Sequence, residues 1–209
     1  QRFIDQVVEE HRIGSRFSHD SIRRIGRLLR KRRKFRIAEV GLIMEYVDAP
    51  GLDTVQDKSL LENVRLFTRI AEGLHSMHEA GIVHADIKPT NVLVDDSVVK
   101  IIDLGQACPI GTTKERIQGT PGYIAPEQAH RRRITERTDV YNLGATMHWV
   151  LSGKLIPTAL PPRRSESSLA TGPLGPDRIA PATPLTELVP GTPVEISDLV
   201  LDCVRASRG

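Results

Sequence analysis

The chain has 209 residues, enough for one good-sized domain. Its 39% hydrophobic and 26% charged content is ordinary for a soluble globular protein, and a net charge of only +3 supplies no strong argument for nucleic-acid or membrane binding. Its apolar runs, such as Val98-Val99 to Ile101-Ile102, fall far short of the ~18 residues of a membrane span, and no signal peptide is visible, so the cytoplasm is the expected compartment.

Taken in order, Phe3, Ile4, Val7 and Val8 recur at helical spacing between Asp5, Glu9 and Glu10 and predict a first helix. Residues 22–29 and 35–47 read as two strands, joined into a hairpin by the cationic turn Arg30-Lys31-Arg32-Arg33-Lys34. Asp48-Ala49-Pro50-Gly51 breaks the chain. Residues 60–79 form an amphipathic helix carrying Leu61, Val64, Phe67, Ile70, Leu74 and Met77, with Gly81 as its stop. Val92-Leu93-Val94 and residues 99–102 make a second hairpin across Asp95-Asp96-Ser97. Residues 138–151 are apolar nearly all round, as in a buried helix. Residues 157–193, rich in Pro, Ser, Thr and Gly, read as a long loop, and residues 196–204 open a last helix. Cys108 and Cys203 have no metal or redox spacing and are expected to be unpaired thiols.

The densest polar constellation is His84-Ala85-Asp86-Ile87-Lys88-Pro89-Thr90-Asn91. It is followed twelve residues later by Asp103-Leu104-Gly105, and further on by Ala125-Pro126-Glu127. Phosphoryl transfer from ATP requires a carboxylate to receive the acceptor hydroxyl proton, oxygen ligands to hold Mg²⁺, and a cation to steady the transferring group. Asp86, then Asn91 with Asp103, and then Lys88 supply these in that order. A loop aspartate can also simply cap neighbouring N–H groups, but Lys88 and Asn91 in register favour the catalytic reading.

With these motifs the chain resembles the protein-kinase family, and most closely the bacterial kinases of eukaryotic type. The run Gly119-Thr120-Pro121-Gly122-Tyr123-Ile124-Ala125-Pro126-Glu127 is similar to the end of an activation segment. Asp139-Val140-Tyr141-Asn142-Leu143-Gly144 is similar to the buried helix whose Asp holds the catalytic-loop backbone. The resemblance implies an α+β, two-lobed fold. Residues 1–47 would be a partial small lobe (regulatory helix, hairpin, start of the hinge) and residues 48–209 the helical large lobe. It implies a gatekeeper at Met44 and a hinge whose Glu45 carbonyl and Val47 N–H and carbonyl meet adenine, with Leu93 beneath the ring. It also implies ATP and Mg²⁺ as cofactors and a protein Ser/Thr hydroxyl as acceptor. Lys88 two residues after the base is the serine/threonine form of the loop, and in the family Thr120 bonds to this Asp and Lys. A membrane tether outside these residues is compatible with this reading, and the oligomeric state is left open.

Two positions depart from the family pattern. Ala85 replaces an Arg whose guanidinium would pair with an activation-segment phosphate, so activity is expected not to depend on phosphorylation at Thr112 or Thr113. Leu104 replaces Phe and is expected still to pack beneath the regulatory helix. No Gly-x-Gly-x-x-Gly occurs, and nothing like Val-Ala-Ile-Lys precedes Gln1. Glu10, with Glu9 second, would be the regulatory-helix carboxylate, expected to lie solvated without that Lys. Glu127, lacking its family Arg partner, is expected to be unpaired. The chain therefore reads as truncated at both ends and inactive alone. A pseudokinase-type binding scaffold is the alternative, and the small-molecule phosphotransferases that share the loop are disfavoured by the 119–127 segment.

Weaker signals are the nine Lys/Arg between Arg23 and Arg36, read as a solvated hairpin rather than a nucleic-acid patch, and three histidines. His75 and His78 are expected on the surface, and His84 in the column linking the lobes. The 157–193 loop, containing Pro161-Pro162-Arg163-Arg164 and several Ser/Thr, reads either as a docking or autophosphorylation segment or as a plain disordered insertion.

Overall fold

Ser59 opens α2 (Leu60–Glu79) through a reciprocal cap: its hydroxyl accepts the Glu62 N–H at 3.3 Å, and the Glu62 carboxylate accepts the Ser59 N–H at 2.7 Å. The computed structural model describes residues 2–33, 36–55, 58–160 and 172–205. α2 buries Leu66, Phe67, Ile70, Leu74 and Met77 in the main core with Ile82, Ile87, Val92, Ile101 and Leu104. Leu61 does not join this stripe. At about 100° per residue it falls on the opposite side of the helix, and it is 58% exposed.

Around this helix the large lobe assembles from short pieces. β3 (Ile82–Val83) pairs with β6 (Cys108–Pro109), and β4 (Val92–Val94) pairs antiparallel with β5 (Val99–Ile101). The Asp95 carboxylate closes the β4–β5 turn by accepting the Ser97 and Val98 N–H groups at 2.7 and 2.8 Å. The segment 50–52 runs along β4, with the Leu52 N–H donating to Val92 at 2.8 Å and the Val94 N–H to Pro50 at 2.9 Å. That pairing fixes Leu93 directly opposite Gly51.

On the other side stand α1 (Arg2–Gly14), β1 (Ile25–Arg33) and β2 (Arg36–Met44), the two strands pairing antiparallel. The strands differ from those expected. Residues 22–24 precede β1, residues 45–47 follow β2, and the basic run 30–33 lies within β1 rather than in a turn; residues 34 and 35 fall outside the described residues. Long aliphatic stems let cations line a solvated strand, and cross-strand pairing offsets part of the charge. Lys31 sits opposite Glu39 with its ammonium 3.1 Å from that carboxylate.

The two halves are joined by backbone. Ile22 makes a parallel bridge to Ile101, with the Ile101 N–H donating to Ser21 at 2.7 Å and the Arg23 N–H to Ile101 at 2.9 Å. α1 contributes its C-terminal end, where Ile13 is fully buried, while Phe3 is 72% exposed. At Gly14 an added Cβ would lie 2.3 Å from Ile25 Cγ1 and 3.0 Å from Leu104 Cδ1, so only glycine admits this approach.

α3 (Pro126–Ala129) leads to α4 (Glu136–Ser152), which is buried on most sides as expected, but through polar residues as well as the apolar Tyr141, Ala145 and Met147. Thr138, Asp139, Asn142, Thr146 and His148 are all buried, and each has hydrogen-bond partners. Among its described residues the expected loop 157–193 contains regular structure held by packing. Leu185, at the start of α5 (Leu185–Leu188), is 1% exposed, and its N–H donates to Ser197 Oγ in α6 (Val194–Cys203). Pro161-Pro162-Arg163-Arg164 lies outside the described residues. Both cysteines are free, and burial raises the pKa of each thiol. No helix among the described residues is long and apolar enough to cross a membrane.

Candidate active site

The site is built on backbone held by one buried carboxylate. Asp139, fully buried in α4, accepts the His84 N–H at 2.9 Å and the Ala85 N–H at 2.8 Å, and the His78 ring Nε2 stands 2.8 Å from it. His78 is thus not the surface residue expected: it closes the third bond of Asp139 from the last turn of α2. His84 is completely buried, its Nδ1 accepting the Asp86 N–H at 3.3 Å and its Nε2 lying 3.2 Å from the Ile102 carbonyl. Ala85 is forced to φ +62°, a left-handed conformation that costs a non-glycine residue about 1–2 kcal/mol. Its peptide groups are gripped from both sides, the N–H by Asp139 and the carbonyl by Gln128 Nε2 at 2.7 Å.

This frame presents Asp86, 8% exposed, with its carboxylate in a ring of three donors. The Thr120 hydroxyl lies 3.0 Å from Oδ1, the Lys88 ammonium 3.1 Å from Oδ2, and the Asn91 amide 3.3 Å from Oδ2. Lys88 also donates to Thr120 at 2.9 Å, so the bond expected between Thr120 and this Asp–Lys pair is present. Asn91 uses its NH₂ on the Asp86 backbone carbonyl at 2.9 Å as well, which leaves its side-chain oxygen out of these bonds. Asp103 follows directly on Ile102, whose N–H donates to the Asn91 carbonyl at 2.9 Å, so the two residues emerge side by side. Asp103 has φ +63°, is exposed, and holds the Gly105 N–H at 3.1 Å on one oxygen. A carboxylate and a neutral amide oxygen, on residues brought close by that backbone bond, are hard donors of the kind that fit Mg²⁺. Among the described residues no group of three His, Cys, Asp or Glu gathers for any other metal.

Leu104 is 3% exposed beneath α1, as its apolar character required. Of the two helix carboxylates, Glu9 is engaged by Arg12 at 2.8 Å on the surface, whereas Glu10 faces the Asp103 loop. Glu10 is not solvated as expected. Burial, followed by the neighbouring Asp103 charge, raises its pKa, with Arg23 and the Leu104 N–H offsetting part. Glu127 is likewise not left bare, because the Thr138 hydroxyl donates to it at 2.7 Å.

Where a hinge was expected, Met44 ends β2 opposite Ile25. The Glu45 side chain is committed locally, accepting the Arg24 N–H at 2.9 Å and the Lys100 ammonium at 3.0 Å. Partial burial pushes that carboxyl up, but these donors outweigh it and the net pKa is lowered. Among the described residues the Glu45 carbonyl and both backbone groups of Val47 take no partner, so they remain available to a ligand edge. A separate cavity of about 310 Å³ opens between α2 and the β4–β5 turn, and none of the site residues lines it.

Two supports escaped the sequence reading. Gln128, 4% exposed, bonds Ala85 and Gln118 through its nitrogen and Ala125 and Asn142 through its oxygen, joining four segments. His78 is the other. Each sits beside a recognised motif, yet nothing in local spacing marks its distant partner.

Residues 1–170 match the family described as protein kinase domain. The chain is 37% identical over 127 residues to the serine/threonine-protein kinase AfsK of Streptomyces griseus, covering 56% of this chain and 16% of that protein. It is 31% identical over 178 residues to a probable serine/threonine-protein kinase of Clostridium acetobutylicum, covering 78% of this chain and 25% of that protein. With pkn2 of Myxococcus xanthus, a serine/threonine-protein kinase, it shares 34% identity over 155 residues, 67% of this chain and 19% of the relative. The chain thus spans a quarter or less of the length of these relatives. On the family match, and with these bacterial serine/threonine-protein kinases as relatives, the chain belongs to the protein kinase family, in its bacterial, eukaryotic-type serine/threonine branch.

Proposed function

We propose that the chain is the catalytic core of a protein that transfers the γ-phosphoryl group of ATP to Ser or Thr hydroxyls of protein substrates. The observation that carries this reading is the ring around Asp86: Thr120, Lys88 and Asn91 all donate to one nearly buried carboxylate. In the mechanism proposed, Asp86 accepts the proton of the substrate hydroxyl as its oxygen attacks phosphorus. Lys88, bonded to Asp86 and Thr120, carries the cation toward the transferring group. Asn91 and Asp103 would hold Mg²⁺, which when bound neutralises charge on the phosphate oxygens. Glu45 and Val47 would meet the adenine edge through their backbone groups, with Met44 behind the ring and Leu93 below it. The division at residues 47 and 48 would then separate a small lobe from the large one, in a protein working in the cytoplasm.

The full-length protein should phosphorylate a Ser/Thr peptide with Mg-ATP, and Asp86→Asn should cost about 10²–10⁴ in kcat while nucleotide binding persists. Parent-level transfer by Asp86→Asn would overturn the role of Asp86. Mg-ATP binding without transfer by the full-length parent would favour the scaffold reading instead. The 209 residues contain no Gly-x-Gly-x-x-Gly and no Val-Ala-Ile-Lys-like run, and alone they are expected to stay below the ~1 per second floor of kinases.

A further inference from the structure

We propose that Lys114 is a positioning residue that pins the activation segment to the Asp103 loop and so keeps the Asp86 pocket in working shape without a phosphate. The inference rests on the kinase reading above. Lys114 is half-buried, and its ammonium donates to the backbone carbonyl of Gln106 and, at 3.4 Å, to the Gln106 side-chain oxygen. Gln106 ends the short helical turn that Asp103 caps, so the grip falls on the loop bearing one of the metal-binding oxygens. Burial lowers the pKa of this amine while Cys108 and Asp86 favour its charged form, which puts Asp86 within electrostatic reach. Thr120 pins the same segment six residues on, through Asp86 and Lys88. Lys114 and Thr120 thus fasten the stretch between them at both ends.

The neighbouring positions show why an added anion is not needed. Position 85 offers a methyl, and its N–H and carbonyl are already taken by Asp139 and Gln128, so nothing there reaches a phosphate. The Thr112 hydroxyl is spent on the Pro109 carbonyl at 2.6 Å. Thr113 is exposed and bridges by backbone to Arg133. The segment therefore carries its own cation to acceptors on the loop, where a phosphorylated segment would carry an anion to a guanidinium.

The test uses the full-length protein with Lys114→Met, Lys114→Arg and the double change Thr112→Ala, Thr113→Ala. It reads kcat, KM for ATP and amide hydrogen exchange over residues 106–118. Lys114→Met should lower kcat about tenfold or more and leave KM for ATP within about twofold, since a misplaced loop loses rate before binding. Lys114→Arg should recover most of the rate, and the double alanine variant should stay within about threefold of the parent. A Met variant with parent kcat and parent exchange, or an Arg variant no better than Met, overturns the proposal. If the parent transfers no phosphate, the kinase reading fails by itself and exchange decides the clamp. Faster exchange confined to residues 106–118 in the Met variant supports it, and unchanged protection refutes it.

Discussion

Replacing Asp139 tests the frame on which the whole site stands. Its carboxylate, with no exposed surface, accepts from the His84 and Ala85 N–H groups and faces His78 at 2.8 Å. Asp139→Asn keeps one acceptor oxygen but turns an NH₂ toward a donor, so one charge-assisted bond is lost and a buried N–H is orphaned. Those two effects cost about 2–4 kcal/mol. Asp139→Ala leaves three donors unmatched and should cost about 3–5 kcal/mol, a large part of a typical 5–15 kcal/mol total. Release of the strained, left-handed Ala85 offsets a small part of this cost, but the relaxed backbone carries Asp86 out of register. Urea unfolding can be followed by Trp149, the single tryptophan of the chain, which lies in the same helix α4. The Asn variant should melt about 5–10 °C below the parent. Val140→Ala, one residue along but 43% exposed, should cost less than about 1 kcal/mol. An Asn variant melting within about 1 °C of the parent would refute the claim that this carboxylate holds the loop.

Three further outcomes follow from the same geometry. Burial and Asp103 raise the folded pKa of Glu10 above its ordinary 4.5, so the folded chain binds that proton more tightly than the unfolded one. The contribution of Glu10 is then favourable below 4.5 and is lost as pH climbs from there through the raised value. Glu10→Gln should flatten that part of the stability–pH curve and gain on the parent toward pH ~7; an unchanged curve in urea titrations would contradict it. Gly144→Ala places a Cβ 2.5 Å from Cys203 Cβ, forcing α6 off α4 at about 1–3 kcal/mol, and denaturation showing equal or greater stability would count against the packing. In the full-length protein, peptide phosphorylation should be little changed when Thr112 and Thr113 are both alanine, whereas a loss beyond about tenfold would mean a phosphate does matter there.

What sequence spacing could show depended on how far apart the partners lie. Asp86, Lys88 and Asn91 stand within six residues, so their mutual bonds follow from one loop, and the β4–β5 hairpin was legible from Asp95-Asp96-Ser97 for the same reason. Periodicity located α2 but not its buried face in full, since a single leucine at position 61 fits the count of apolar residues while pointing outward. Charge misled at β1, because a run of cations suits a solvated strand as well as a turn.

Polar residues with distant partners were the least legible, and they matter most to the site. His78 meets Asp139 across 61 residues, and Gln128 meets Ala85 across 43. A buried glutamine and a solvated one look alike in a sequence, because burial is decided by segments that arrive from elsewhere. The same point explains how alanine can stand at position 85. The side chain there does not hold the loop; the peptide on either side of it does, through Asp139 and Gln128. With the backbone fixed by those two, the strained φ of Ala85 is imposed from outside, and position 85 is free to give up its cation without releasing Asp86. Loss of the arginine removes a phosphate receptor while leaving the loop geometry intact, which is the combination that an internal lysine at position 114 is placed to exploit.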